Sequence, residues 1–231
     1  MSNISPEEWT AILLSVRVAV IATLISTPIG IGVAWLLARR DFWGKPIIDA
    51  VIYLPLVLPP VVTGYLLLML LGKRGILGAW LAEHLGIVFA FRWTGAAIAC
   101  GVMSFPLLVR PIRLSIEAVD RRLEQASSTL GASPWKVFLT VTLPLAMPGV
   151  LAGMVLGFAK AIGEFGATIT FVSNIPGETQ TISSAIYSLI QTPDGDAAAS
   201  RLVLISIGIA VVALIASEIL ARRATQRLHG N

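Results

Sequence analysis

Few residues in this chain have side chains that could do chemistry. Lys160 and Glu164 stand four apart, the spacing that puts two side chains on one helix face where they can pair. Directly after them come Phe165, Gly166, Thr168, Thr170 and Ser173, a hydroxyl-bearing run in an otherwise apolar chain. Neutral donors of this kind can hold an anion weakly, and they can equally bond back to their own backbone. Glu164 would repel an anion. Its expected role is therefore structural near the gate of a translocation path, pairing with Lys160, Arg92 or Arg201 or capping a chain reversal, with direct gating as the alternative. Cys100 is the single cysteine, so no intrachain disulfide can form. There are two histidines, His84 in a loop and His229 in the tail, and no metal site is expected on them. No phosphate-binding Gly-x-x-x-x-Gly-Lys-[Ser/Thr] run occurs, since Gly44-Lys45 lacks the upstream glycine. Neither a catalytic residue nor a metal ligand is assigned, and no enzyme is expected.

The rest of the chain must position these groups, and it is built for a bilayer. Of its 231 residues 56% are hydrophobic and 13% charged, about half the ~25% charge of soluble domains. That excludes a soluble fold and a disordered chain and leaves an integral membrane protein. The net charge is +4. Its cations sit between apolar runs, which points to topology and lipid contact rather than nucleic acid. Met1 to Trp9 hold Glu7 and Glu8 but no Lys or Arg, unlike a signal peptide, so the first apolar run is expected to remain as a span.

Crossing ~30 Å of hydrocarbon takes about 20 mostly apolar residues in a helix. That rule gives an all-α, single-domain membrane protein of five spans, about 11–38, 46–72, 93–110, 137–160 and 201–221. The stretch 165–177 is too short and polar for a span and reads as the outer end of span four or a segment folded back. Pro28, Pro55, Pro59, Pro60, Pro106, Pro144 and Pro148 predict kinks. Gly149, Gly153 and Gly157 recur at the four-residue spacing of close helix contacts. Placing the N-terminus outside and the C-terminus inside leaves 11 of the 17 cations in inside segments, as the positive-inside rule prefers.

The inside loop 110–136 has order of its own. Asp120 can cap a short helix carrying Leu123, Ala126, Ser127 and Leu130 on one face. Gly131 stops it, and Ser133-Pro134 starts the next helix. Such a helix could seat in a soluble partner's groove or lie on lipid. Outside, Thr181 to Gln191 has helical spacing after Glu178 and before Pro193, and reads as a surface helix.

The loop resembles the signature of binding-protein-dependent ABC transporter permeases, E-A-A-x-x-x-G-x9-I-x-L-P. Gln125-Ala126-Ser127, Gly131, Val141 and Leu143-Pro144 keep its spacing, with Gln125 at the family's Glu position, Glu124 beside it, and Val141 for Ile. The run from Gly163-Glu164-Phe165-Gly166-Ala167-Thr168 through Ser173-Asn174-Ile175-Pro176-Gly177-Glu178-Thr179 resembles the oxyanion branch, most of all molybdate permeases, as does Leu54 to Tyr65. The likeness extends over residues 9 to 223. It implies the type I ABC importer permease fold, a homodimer, two ABC ATPase subunits that bind ATP and magnesium, and a periplasmic molybdate-binding protein. It implies a bacterial inner membrane location. It also implies that Asp120, Leu123, Glu124, Gln125, Ala126, Ser127, Leu130, Gly131 and Pro134 couple to the ATPase. The cargo expected is molybdate, with tungstate of the same geometry. A sulfate or thiosulfate permease is the alternative, and a non-transport membrane scaffold the second.

Overall fold

The structure, a computed structural model, describes residues 4–229, with the backbone alone for 217, 218 and 220–229. The side chains of Glu218, Arg222, Arg223, Arg227 and His229 lie outside the described residues. The described chain is helical, without strands. In order it forms α1 (Pro6–Arg39), α2 (Lys45–Val57), α3 (Pro60–Leu71), α4 (Ile76–Leu85) and α5 (Trp93–Ala118). Then follow α6 (Arg121–Thr129), α7 (Pro134–Val137), a π-helical turn (Phe138–Thr142), α8 (Leu143–Ile162), α9 (Gly166–Val172), α10 (Ile182–Leu189) and α11 (Asp196–His229).

Local chemistry sets the helix starts. Ser5 and Glu8 form a reciprocal capping box on α1: Ser5 Oγ accepts from the Glu8 amide at 3.1 Å, and Glu8 Oε2 accepts from the Ser5 amide at 2.6 Å. Pro28, Pro106 and Pro148 sit inside α1, α5 and α8 without ending them. The break comes at Leu58-Pro59-Pro60. Two successive prolines lack amide donors, and a residue before proline is pushed into extended backbone. Leu58 duly has φ −72° and ψ 145°. Pro60 then opens α3 at the first helical position. The expected single kinked span 46–72 is therefore two helices meeting at 117°. Among the described residues four helices are long and apolar enough to cross a membrane, or five with α2 and α3 as one broken span. Asp49 of α2 pairs with Arg113 near the end of α5 at 2.6 Å, while α3 leads through α4 to the start of α5. The broken pair thus carries the chain from one end of the bundle to the other.

Two further boundaries move. α5 continues past residue 110 to Ala118, so the first third of the expected loop 110–136 is helix. Its polar residues are accommodated because Arg113 bonds both Asp49 and, one turn on, Glu117 at 2.8 Å. The stretch 73–92 between α3 and α5 also contains a helix, α4, on which His84 Nδ1 lies 3.0 Å from the Trp80 carbonyl.

The core is α5 packed between α1 and α8. One cluster joins Val18, Ala19 and Ala22 of α1 to Cys100 and Met103 of α5 and to Phe171 and Val172 of α9. A second joins Leu37 of α1 to Leu108 and Ile112 of α5 and Val150 of α8. Here Gly153 is required by close approach: a Cβ would stand 2.5 Å from the Leu108 carbonyl oxygen. α10 packs Ile182 and Ala185 on Ala11 and Ile12 of α1 and Leu202 of α11. Leu24, Ile25 and Ile29 of α1, Val57 of α2, and Leu204 and Val212 of α11 stay exposed, as suits surfaces facing lipid or another subunit.

Candidate functional site

Two places hold the polar residues that the sequence marks out. The first is α6 and its flanks, at the end of the bundle where α1 and α5 finish and α8 begins. Asp120 Oδ1 accepts from the Arg122 amide at 2.9 Å and starts the helix. At its other end the Ala132 amide donates to Ser127 O at 3.3 Å and the Gly131 amide to Ser128 O at 3.0 Å. This crossed pair needs a left-handed residue, and Gly131 supplies it with φ +85°. Ser133 Oγ accepts from the Lys136 amide at 3.4 Å and Pro134 occupies the first turn of α7.

No residue of α6 is buried. Leu123 is 50% exposed, Leu130 89% and Trp135 68%, with Gln125, Ala126 and Gly131 also on the surface. The apolar side chains therefore point away from the bundle, uncovered. Ser127 is half-buried. Glu124 turns the other way. Its Oε1 accepts from Thr142 Oγ1 at 2.6 Å and from Arg39 Nε at 3.2 Å. The spacing of the loop gave no sign of these contacts, because Arg39 is 85 residues away in sequence.

A π turn underlies this junction. Pro144 has no amide to give the carbonyl four residues back, and its ring crowds that carbonyl. The ladder slips one residue, so that the Leu143 amide bonds Phe138 O, five back. Phe138 is held between Trp35 and Trp135, with ring centroids 5.9 and 5.5 Å away.

The second place is the break between α8 and α9. Glu164, 2% exposed, accepts from Lys160 Nζ at 2.7 Å on Oε2 and from the Ala167 amide at 3.0 Å on Oε1. It thereby both pairs with Lys160 and caps α9 after the chain leaves α8. Arg201 bonds Glu8 instead, at 2.8 Å. Thr168 Oγ1 donates to the Phe165 carbonyl and Thr170 Oγ1 to the Gly166 carbonyl, both at 2.9 Å. The two hydroxyls are thus engaged with their own helix. Ser173 ends α9 with φ +66° and an exposed side chain. The segment is a separate helix folded against α3 and α5: Phe171 and Val172 are fully buried in the α1–α5 core. Phe165 packs against Tyr187 of α10 with ring centroids 5.0 Å apart and the rings tilted by 42°, and Gly166 lies against Pro60 at the start of α3. Among the described residues no group of three His, Cys, Asp or Glu side chains is placed to hold a metal ion.

The site thus consists of a capped, exposed helix at one end of the bundle and a buried glutamate at a helix break deeper in it. The chain belongs to the family described as "binding-protein-dependent transport system inner membrane component", whose profile matches residues 26–226. It is 59% identical over 220 residues to the Escherichia coli (strain K12) protein named molybdenum transport system permease protein ModB, covering 95% of this chain and 96% of that one. Identity to the Haemophilus influenzae protein of the same name is 57% over 221 residues, 96% of each chain. Among solved structures, an inward-facing MetNI methionine ABC transporter superposes with a TM-score of 0.75, over 97% of this chain and 99% of that one. At 14% identity that likeness speaks for the fold alone: the permease fold of type I ABC importers.

Proposed function

We propose that this chain is the membrane-spanning permease subunit of an ATP-driven importer of molybdate. The observation that carries the coupling part of this reading is the uncovered apolar face of α6, with Leu123 and Leu130 turned outward on a helix capped at both ends. A soluble groove can cover that face at little cost in ordering, since caps and the Glu124 contacts already hold the helix. Two copies of the chain would form the path, each seating one ABC ATPase subunit on α6. ATP and magnesium belong to that partner. The α6 end is then cytoplasmic, consistent with the excess of cations there, and the α10 end receives a periplasmic molybdate-binding protein.

The cargo follows from the high identity to molybdenum permeases over nearly the whole chain. Molybdate is a tetrahedral dianion, so its passage needs a polar path opened on demand. High affinity belongs to the binding protein, because a tight site inside the membrane would slow release. The hydroxyl run near Glu164 is placed beside the α2–α3 break, where a path between two copies could open.

Reconstitution tests this reading. The chain, with ATPase and binding protein in vesicles, should take up molybdate only when ATP is inside with the ATPase. Leu130→Asp should leave the permease folded and release the ATPase during purification. Retention of the ATPase by that variant would rule out α6 as its seat. Reporter fusions at Lys45, Ala132 and Arg223 should all report cytoplasm. A periplasmic signal at Ala132 would overturn the orientation.

A further inference from the structure

We infer that Glu124 is a positioning residue that ties α6 to the bundle and transmits its movement, and is not itself a contact to the ATPase. The inference rests on the reading that α6 is the ATPase seat. One carboxylate oxygen, Oε1, gathers partners from two separate elements. Arg39, the last residue of α1, reaches it with Nη2 at 3.1 Å and Nε at 3.2 Å. Thr142, the last residue of the π turn that leads into α8, donates to it at 2.6 Å. The same Arg39 Nη2 donates to Val119 O at 3.0 Å, in the link between α5 and α6. The end of α1, the end of α5, α6 and the start of α8 therefore meet through one guanidinium and one carboxylate.

The burial fits this role and not a docking role. The Arg39 side chain is 9% exposed and that of Glu124 19%, whereas Leu123, Gln125 and Ala126 beside it are exposed. Glu124 Oε1 accepts two hydrogen bonds from inside the bundle, from Arg39 Nε and Thr142 Oγ1, and pairs with Arg39 Nη2 as well, so that oxygen is turned inward and not toward a partner. The pair is also short of water, so its bonds hold geometry more firmly than a surface ion pair would. Thr142 is 1% exposed and sits where the α8 ladder is already slipped, and a π turn is a place where a helix can shift register locally. A push on α6 would thus reach α1 as a pull on Arg39 and reach α8 through Thr142, next to the aromatic cluster of Trp35, Phe138 and Trp135.

The test uses the full transporter in vesicles, with binding protein, molybdate and ATP, and compares Glu124→Gln, Thr142→Val, the double variant and Leu130→Asp. Three quantities are read: ATPase retained on purification, molybdate imported per ATP hydrolysed, and the melting temperature. Glu124→Gln should retain the ATPase. Its molybdate imported per ATP should fall about tenfold, because the bonds from Arg39 and Thr142 lose the charge on their acceptor. Thr142→Val should fall less, and the double variant should fall no further than Glu124→Gln alone, since both act through one oxygen. A Glu124 that only stabilised the fold would lower melting temperature and transport together while leaving molybdate per ATP unchanged, and that result would overturn the inference. Loss of the ATPase in Glu124→Gln would overturn it too, by making Glu124 a docking contact. Retention of the ATPase by Leu130→Asp would instead sink the reading of α6 as the seat, so the two failures are distinct.

Discussion

Glu124 and Glu164 are both shielded glutamates bonded to a cation, yet they organise the molecule in opposite ways. Glu164 acts locally. Its cation is Lys160, four residues before it, and its amide donor is Ala167, three residues after it. It closes one turn of chain between α8 and α9. Glu124 acts across the fold: its cation comes from the end of α1 and its hydroxyl partner from the end of the π turn, 85 and 18 residues away. One carboxylate fixes a corner inside the bundle, while the other joins the bundle to a helix that is otherwise on the surface. The contrast implies that damage at Glu164 should show first in stability, and damage around α6 first in function.

The largest stability effect is expected at the inner corner. Lys160→Met strands the Glu164 carboxylate, whose side chain is 1% exposed. Stranding a buried charge should cost about 3 kcal/mol, the low end for a broken buried pair because Lys160 itself is partly exposed. Thermal unfolding of the permease in detergent measures it. Glu164→Gln keeps an acceptor for Ala167 and should lose clearly less. Equal losses in the two variants would break the contrast drawn here.

Next comes the packed interface of α5 and α8. Gly153→Val should destabilise by roughly 1–3 kcal/mol, the cost of forcing side-chain atoms into a filled contact, since the Leu108 carbonyl already occupies that space. An unchanged melting temperature would mean that α5 and α8 are not held this closely in the bilayer.

At the α6 end, Gly131→Pro should reverse the order of effects. Proline cannot adopt φ +85° and has no amide for Ser128 O. The change lies on the surface, so melting should shift little. Stimulation of ATP hydrolysis by the loaded binding protein should nevertheless be lost. Intact stimulation would show that the break between α6 and α7 is not needed for transmission.

The smallest effect is expected at the hydroxyls. Thr168→Val removes one bond to the Phe165 carbonyl and should cost about 0.5–1.5 kcal/mol. Ser173→Ala removes an exposed hydroxyl and should cost less. Either should slow maximal uptake without changing the preference among molybdate, tungstate and sulfate under a fixed binding protein. A large change in preference would place a selectivity site inside the membrane.

What could be read from the sequence alone was whatever depends on neighbours along the chain. Apolar runs longer than a bilayer is thick mark helices wherever they fold. Asp120, Gly131 and Ser133-Pro134 delimit α6 because caps and left-handed stops act within a few residues. The pairing of Lys160 with Glu164 was legible for the same reason, as one of several partners open to Glu164. Tertiary structure alone decided the rest. The doublet Pro59-Pro60 announces a kink, but not the 117° angle at which α3, packed on α9, departs from α2. α5 runs on to Ala118, and there Arg113 meets Asp49 of another helix. Which acceptors the Thr168 and Thr170 hydroxyls would meet was open in the sequence, and in the fold both donate to backbone carbonyls of their own helix. Glu124 differs from Gln125 by one position in sequence. On a helix, one position is a turn of about 100°, and that rotation sends one side chain into the bundle and leaves the other on its surface.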